Sequence, residues 1–366
     1  MGACFAGCKC LPIRCRARDS ERCCFRDTFY DCQEGDSTKD YLFTRPVRKL
    51  SVYGGLGLNW SGRLRRPNAA AGPVLPGGGG VLGSTIPECR HADAARVRGL
   101  GAIHWSKGDG SGFLVRSRGN DGHRNTQKEP SVGAFYECVS VDILRAGRRI
   151  GRVIGELTGI QSQGPWEHAL PRVLCINVQL PYRAPYPFRP HPRDDHGCSL
   201  VAMWRIKGET LDMLSRDAQD QPVALRLFKD FIRGGTTDLP NPGPRTAGLL
   251  KAIARVENAD EVAKGIPWPL KSTALRQNGK PTLLTQSGSV FKDSANNGEW
   301  VEIGIDVRRF CVPARQALVQ LRDHLRTTSV HIGFLIQNVG GSGPEGIVCD
   351  VHLHCMDIVE NPTWVA

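Results

Sequence analysis

Between residues 279 and 337 the chain changes its hydrophobic period twice, and that stretch limits the folds open to it more than any other. In residues 300–307, Val301, Ile303, Ile305 and Val307 alternate with Glu302, Gly304 and Asp306, the pattern of a strand with one buried face. Pro313 then stands where a first helical turn tolerates it. Ala314, Ala317, Leu318, Leu321 and Leu325 follow at helical spacing, with Arg315, Arg322 and Arg326 among them. Residues 330–336 are a nearly continuous apolar run of strand length. The order is β-α-β, with the helix lying on a sheet; if the two strands are parallel neighbours, the crossover is right-handed.

The flanking sequence extends the same sheet-rich reading. Residues 347–357, IVCDVHLHCMD, alternate again and pair most simply with residues 330–336 as an antiparallel hairpin. Further strands are expected at 112–118, 134–144, 172–180 and 198–207, with 172–180 apolar enough to be central. Residues 211–232 read as a helix with Leu225, Phe228 and Ile232 on one face, divided at Pro222 and stopped by Gly234 and Gly235. Residues 249–256 fit either a strand or a helix. The class expected is α+β, a largely antiparallel sheet of about eight strands with two or three packed helices. At 40% apolar and 23% charged residues, the chain has the balance of a globular protein rather than a disordered one.

The N-terminal third is built differently. Residues 33–102 carry GGLG, AAAGP and PGGGG with no sustained periodicity, the composition of a flexible linker. Residues 1–32 hold seven of the fourteen cysteines, and residues 1–100 have 16 Lys and Arg against 9 Asp and Glu. A basic arm of this kind suits a membrane surface or nucleic acid. MGACFAGCKC opens with Gly2 in the position of an N-myristoylation acceptor, beside Cys4, Cys8 and Cys10 as S-palmitoylation candidates, although Ala6 stands where that pattern has Ser or Thr. Two acyl chains, or one chain with Lys9, Arg14, Arg16 and Arg18, anchor where one chain alone does not. No apolar run reaches the roughly eighteen residues of a spanning helix, and no signal peptide is evident. A cytoplasmic protein, peripheral on a cytosol-facing plasma membrane or endomembrane, is therefore expected, with nucleic acid the less favoured partner and any protein partner unnamed.

Scattered pieces of residues 103–361 resemble, in order, the C-terminal domain family of the plant protein Enhanced Disease Resistance 2. They are Trp105, Phe113, Arg118, Gly119 and Lys128; the strand ending at Asp142; Asn177, Gln179 and Pro181 in an Asn-x-Gln-x-Pro step; Lys251; Lys280 and Pro281; and Glu302 and Asp306 in Glu-Ile-Asp-Val. The chain departs from the family at Gly122 and Asn125, and a usual acidic stretch near the end is reduced to Pro344, Glu345 and Gly346. The resemblance implies a standalone domain without the pleckstrin-homology and START domains that precede it in the plant proteins. The function implied is a non-enzymatic, membrane-associated regulatory module that binds lipid. A β-rich domain of this size can hold an apolar cavity between its sheet and a covering helix, expected between residues 172–180, 300–307 and 313–326. A protein-interaction domain with a solid core is the alternative.

Catalytic patterns add little to that reading. No G-x-S-x-G occurs, and Ser287 lies in a turn-like Q-S-G-S. His352 and His354 share a strand face with Asp350, and His331 is a candidate third ligand, so a metal-dependent hydrolase is a third alternative. The polar outer face of an edge strand is the simpler account of the histidines. Glu302 and Asp306, on the face opposite the core, are about 14 Å apart along the strand, too far to act as a carboxylate pair. Glu302 or Asp306 is expected instead to meet a basic residue on an adjacent strand. No cofactor and no bound metal is expected.

Overall fold

The computed structural model describes residues 85–89, 102–117, 127–156, 166–183, 196–234, 250–265, 270–284, 287–293, 298–310, 312–338 and 343–364. The expected lipidation sites Gly2, Cys4, Cys8 and Cys10, and the family positions Arg118 and Gly119, lie outside the described residues.

Two sheets pack face to face. The first has the order β1 (His104–Lys107), β12 (Ile347–His354), β11 (Ser329–Ile336), β7 (Leu250–Val256), β8 (Pro281–Leu283). The second runs β13 (Thr363–Trp364), β4 (Tyr136–Arg145), β6 (Gly197–Ile206), β5 (Val173–Pro181), β10 (Trp300–Asp306), β9 (Gly288–Lys292). A ribbon of β2 (Leu114–Arg116) and β3 (Lys128–Pro130) accompanies the first sheet. Eight of these strands have five residues or more, so the additional strands beyond the expected eight are short pairings that carry little periodicity. Pairing is antiparallel except for β5 with β10 and β4 with β13, and the class is α+β.

The expected hairpin is present, with Val330 opposite Leu353 and Ile332 opposite Val351. Residues 250–256, ambiguous in sequence, form a strand because β11 supplies one edge and β8 the other. Strand, helix and strand follow in the expected order through α4 (Val312–Leu321) and the 3-10 turn Arg322–Thr327. The two strands do not neighbour each other, however: β10 lies in the second sheet and β11 in the first. The parallel partner of β10 is β5, more than a hundred residues earlier in the chain.

Apolar side chains from both sheets, among them Ile176, Ala202, Trp204, Ile303, Phe334 and Val351, form the main core. The 208–234 region divides at Pro222 as expected, into α2 (Gly208–Leu214) and α3 (Val223–Gly234). Helix α3 buries Leu225, Phe228, Phe231 and Ile232 against that core, and the edge of the Phe228 ring meets Tyr136 at 5.9 Å. On the far side of the second sheet, Ile150, Val153 and Ile154 pack over Val173, Cys175, Val201 and Met203. That layer, ending in the short helix α1 (Val153–Glu156), determines what becomes of Glu302. Among the described residues no helix is long and apolar enough to cross a membrane.

Candidate functional site

Glu302 is on the face of β10 opposite the main core, as its alternation requires, but it is wholly buried. Its carboxylate accepts from the backbone N–H groups of Val153 and Ile154, both at 2.8 Å. The Nδ2 of Asn177 donates to it at 3.4 Å and also to the Ile150 carbonyl at 3.1 Å. Gln179 Nε2 donates to the same Ile150 carbonyl at 3.2 Å. Burial is the largest influence on the Glu302 carboxyl and pushes it up to about 7, against the opposing pull of these donors. The expectation of a basic strand neighbour is thus corrected for Glu302. The segment before α1 folds onto the sheet, and the N–H groups of the helix's first turn need an acceptor in a place water does not reach.

Asp306 does find cations, though from loops rather than a neighbouring strand. Arg149 Nη1 lies 2.5 Å from its Oδ2, and the backbone N–H of Arg308 donates to Oδ1 at 3.1 Å. Arg148, Arg149 and Arg308 line a shallow pocket of about 220 Å³, whose floor includes Gln179 and Ser199. Four of the motif residues spread through the sequence, Asn177, Gln179, Glu302 and Asp306, therefore meet around one segment, residues 148–154. The run R-A-G-R-R-I-G-R at 145–152 was the available sequence signal for it, since a basic run directly after a strand places cations at one sheet end.

The opposite face of the same strand ends is apolar. Ile176, Val178, Leu200, Ala202, Trp204, Ile332 and neighbouring apolar side chains enclose a cleft of about 290 Å³ between the sheets, part of it open to solvent. Val178, Leu180, Leu200 and Ile332 face inward yet are half-buried, whereas Ile176, Ala202 and Trp204 farther in are buried. Of the walls expected for a cavity, residues 172–180 are one, but residues 300–307 and 313–326 are not: β5 and β6 form one side, β11 and β12 the other. Arginines gather at this end. The Arg145 guanidinium lies 5.0 Å from the Tyr182 ring centre and 4.6 Å from that of Trp364, and Arg322 Nη1 donates to the Tyr182 carbonyl at 2.6 Å.

The histidines form a separate cluster. Strand β12 is no edge: β1 pairs along one side and β11 along the other, so His352, His354 and Asp350 are buried. The pairing with β1, only four residues long, was invisible in the sequence. It brings in His104, which stacks on His354 with ring centres 4.4 Å apart. His331 stacks on His352 at 3.7 Å and meets Phe113 at 4.1 Å. Arg255 Nη2, which can only donate, lies 3.4 Å from His331 Nδ1. Nδ1 therefore accepts, and Nε2 donates to Asp350 Oδ2 at 2.7 Å. Stacked imidazoles turn ring faces toward each other rather than converging lone pairs on one point, and no metal-holding group of three or more such side chains occurs among the described residues.

Of the remaining motif positions, Trp105, Asp142 and Lys251 are structural in their contacts. Trp105 is buried and donates to the Ile86 carbonyl. Asp142, also buried, accepts from the Thr85 N–H at 2.7 Å. Lys251 is ion-paired with Glu345 at 2.8 Å, with burial the largest influence lowering its ammonium from the ordinary lysine value. Pro344-Glu345-Gly346 thus retains a partner despite its departure from the family pattern. Lys128 is exposed on β3, Lys280 is exposed before β8, and Pro181 ends β5.

Fold and site together define a two-sheet α+β domain with an arginine-rich end over an apolar cleft. Residues 105–357 match the family described as Protein ENHANCED DISEASE RESISTANCE 2, C-terminal, and the chain belongs to that family. No curated protein and no solved structure matches it.

Proposed function

We propose that this domain is a non-enzymatic, lipid-binding regulatory module that works on a cytosol-facing membrane. The observation that carries the reading is the half-exposure of inward-facing Val178, Leu180, Leu200 and Ile332 at one end of the sandwich. Side chains so placed belong to a core that is not closed, and an apolar ligand would complete it. The cleft is narrow and lined by apolar side chains, so it suits the end of a single acyl chain rather than a pair of chains. Each methylene seated there would contribute about 0.8 kcal/mol. Arg145, Arg148, Arg149 and Arg322 at the same end favour an anionic surface, and acylation at Gly2 with Cys4, Cys8 or Cys10 would supply a second attachment.

Flotation of the full chain with phosphatidylcholine vesicles, with and without phosphatidylserine, tests the reading. Binding should be stronger with phosphatidylserine and should fall about tenfold in Leu200→Asp, a half-exposed position where a charge spoils insertion. In cells, Gly2→Ala should move the protein toward the soluble fraction. Vesicle binding that is absent, or indifferent to Leu200→Asp, would leave a protein-interaction domain as the better account.

A further inference from the structure

The ribbon of β2 and β3 has one face against the first sheet and one face bare. Phe113 and Val115 pack with Ile253, Leu335 and Ile347, and alternation turns Leu114 and Arg116 the other way, where both are exposed. Residues opposite each other in an antiparallel pair share a face, so Pro130 stands beside Leu114 and Lys128 beside Arg116. Val132, two residues past Pro130, is fully exposed. The bare face is thus apolar at one end and doubly cationic at the other.

Like charges directly across a strand pair destabilise it, and here a third cation lies close. Burial first, and then Arg116 and Lys128 through space, hold the Lys251 ammonium below its ordinary value. The carboxylates nearby do not answer the pair. Glu345 is buried and takes both Lys251 and the Asn338 N–H on one oxygen. Glu129 lies opposite Val115, on the alternate face. Among the described residues neither Arg116 nor Lys128 has an ion-pair partner.

The complement is in the chain itself. Residues 27–43, DTFYDCQEGDSTKDYLF, hold five of the nine carboxylates of residues 1–100 against one lysine, Lys39, with Phe29 and Tyr30 near one end and Tyr41 and Phe43 at the other. We propose that this acidic, aromatic segment docks on the ribbon, its carboxylates against Arg116 and Lys128 and an aromatic end over Leu114, Pro130 and Val132. A coil of 41 residues, the number from 44 to 84, spans about 35 Å, enough to reach across a domain of this size. Tethering supplies roughly millimolar effective concentration, so a contact of only about 0.1 mM affinity would be mostly formed. A membrane is the less favoured occupant. The Glu345 N–H donates to the Arg116 carbonyl, which puts the cations at the start of β12, whereas the cleft opens near Leu353, about 20 Å along that strand. The bare face also looks away from the sandwich, and one flat surface does not meet both. That ordering of occupants rests on the lipid reading; the docking does not.

Carbodiimide coupling of the full chain, which joins a lysine amine to a carboxylate already in contact with it, tests this by peptide mass spectrometry. Lys128 should couple to carboxylates of residues 27–40 at least about tenfold more than does Lys264, an exposed lysine outside the ribbon. Arg116→Glu, at an exposed position, should lower the Lys128 yield by about tenfold. Lys128→Glu combined with Glu34→Lys and Asp36→Lys should restore coupling between the two sites, which damage to the fold would not. Leu200→Asp should leave the coupling unchanged, which separates this contact from the lipid cleft. In an equal mixture of light and heavy-isotope chains the coupled peptides should carry a single label. Mixed labels would assign the face to a second copy and overturn the proposal, as would a Lys128 yield no higher than that of Lys264 or indifferent to Arg116→Glu. Flotation with phosphatidylserine vesicles that Arg116→Glu abolishes, in a chain without such coupling, would give the face to a membrane instead.

Discussion

Replacing Glu302 by alanine should destabilise the domain by about 3–5 kcal/mol. The loss would come from three donors that have no route to water. The Val153 and Ile154 N–H groups and the Asn177 amide all point at this carboxylate, and alanine offers them nothing while opening a cavity beneath Ile150 and Val153. Glutamine is the sharper test, because it keeps the volume and removes the titration. The Glu302 carboxyl sits at about 7 against an ordinary value of 4.5. Below the lower value both folded and unfolded chains hold the proton, so Glu302 contributes no pH slope. Between the two values the folded chain holds a proton that the unfolded chain has released, so stability falls as pH rises, by about 3 kcal/mol across the window, and levels off above it. Urea denaturation as a function of pH should show that decline in the unmodified chain and lack it in Glu302→Gln. A slope shared by both proteins would mean that Glu302 is ionised throughout.

Asp350→Ala should cost about 3 kcal/mol, which for a domain of this size lowers the thermal midpoint by roughly 6–12 °C. Asp350 Oδ2 accepts from His331 Nε2 at 2.7 Å and from the Gly110 N–H at 3.0 Å. Both donors are held in place by other contacts. His331 is fixed between Phe113 and His352, and Gly110 lies in a turn at φ +78° that also packs tightly on Gly133 and Ala134. Neither can swing to a new acceptor, so the full penalty of an unpaired buried donor applies. Asp350→Asn keeps one acceptor oxygen but sets its amide against one of the donors, and an intermediate loss is expected. Scanning calorimetry checks the order. A midpoint unchanged in Asp350→Ala would mean that the histidine stack holds this sheet face without its carboxylate.

Both residues show where sequence reasoning succeeds and where it stops. Alternation in residues 300–307 and 347–357 correctly separated two strand faces, because side chains on a strand alternate whatever covers them. It could not say that both faces are dry. Glu302 reads as solvent-facing until residues 150–154 fold over it, and Asp350, His352 and His354 read as an outer edge until β1 and Phe113 cover them. Those covers come from distant parts of the chain with little periodicity of their own. The division of the helical region at Pro222 was legible because proline acts locally. The partnership of β10 with β5 was not, since nothing in either strand names its neighbour. For the same reason the cleft was expected between β5, β10 and the helix over 313–326, and lies instead between β5, β6, β11 and β12. The arginine run at 145–152 was visible, but its meeting with Arg308 and Gln179 depends on that same long-range pairing.

The lipid reading depends on whether the cleft between the sheets is occupied in the cell. Native mass spectrometry of the full chain purified from cells, followed by organic extraction, addresses this directly, with Ala202→Phe as the comparison because a ring at that buried position fills the cleft from within. The account predicts about one acyl-bearing molecule per chain, released on extraction and lost in Ala202→Phe while the folded mass is retained. An unmodified chain that flies empty, or the same adduct in both proteins, would contradict it.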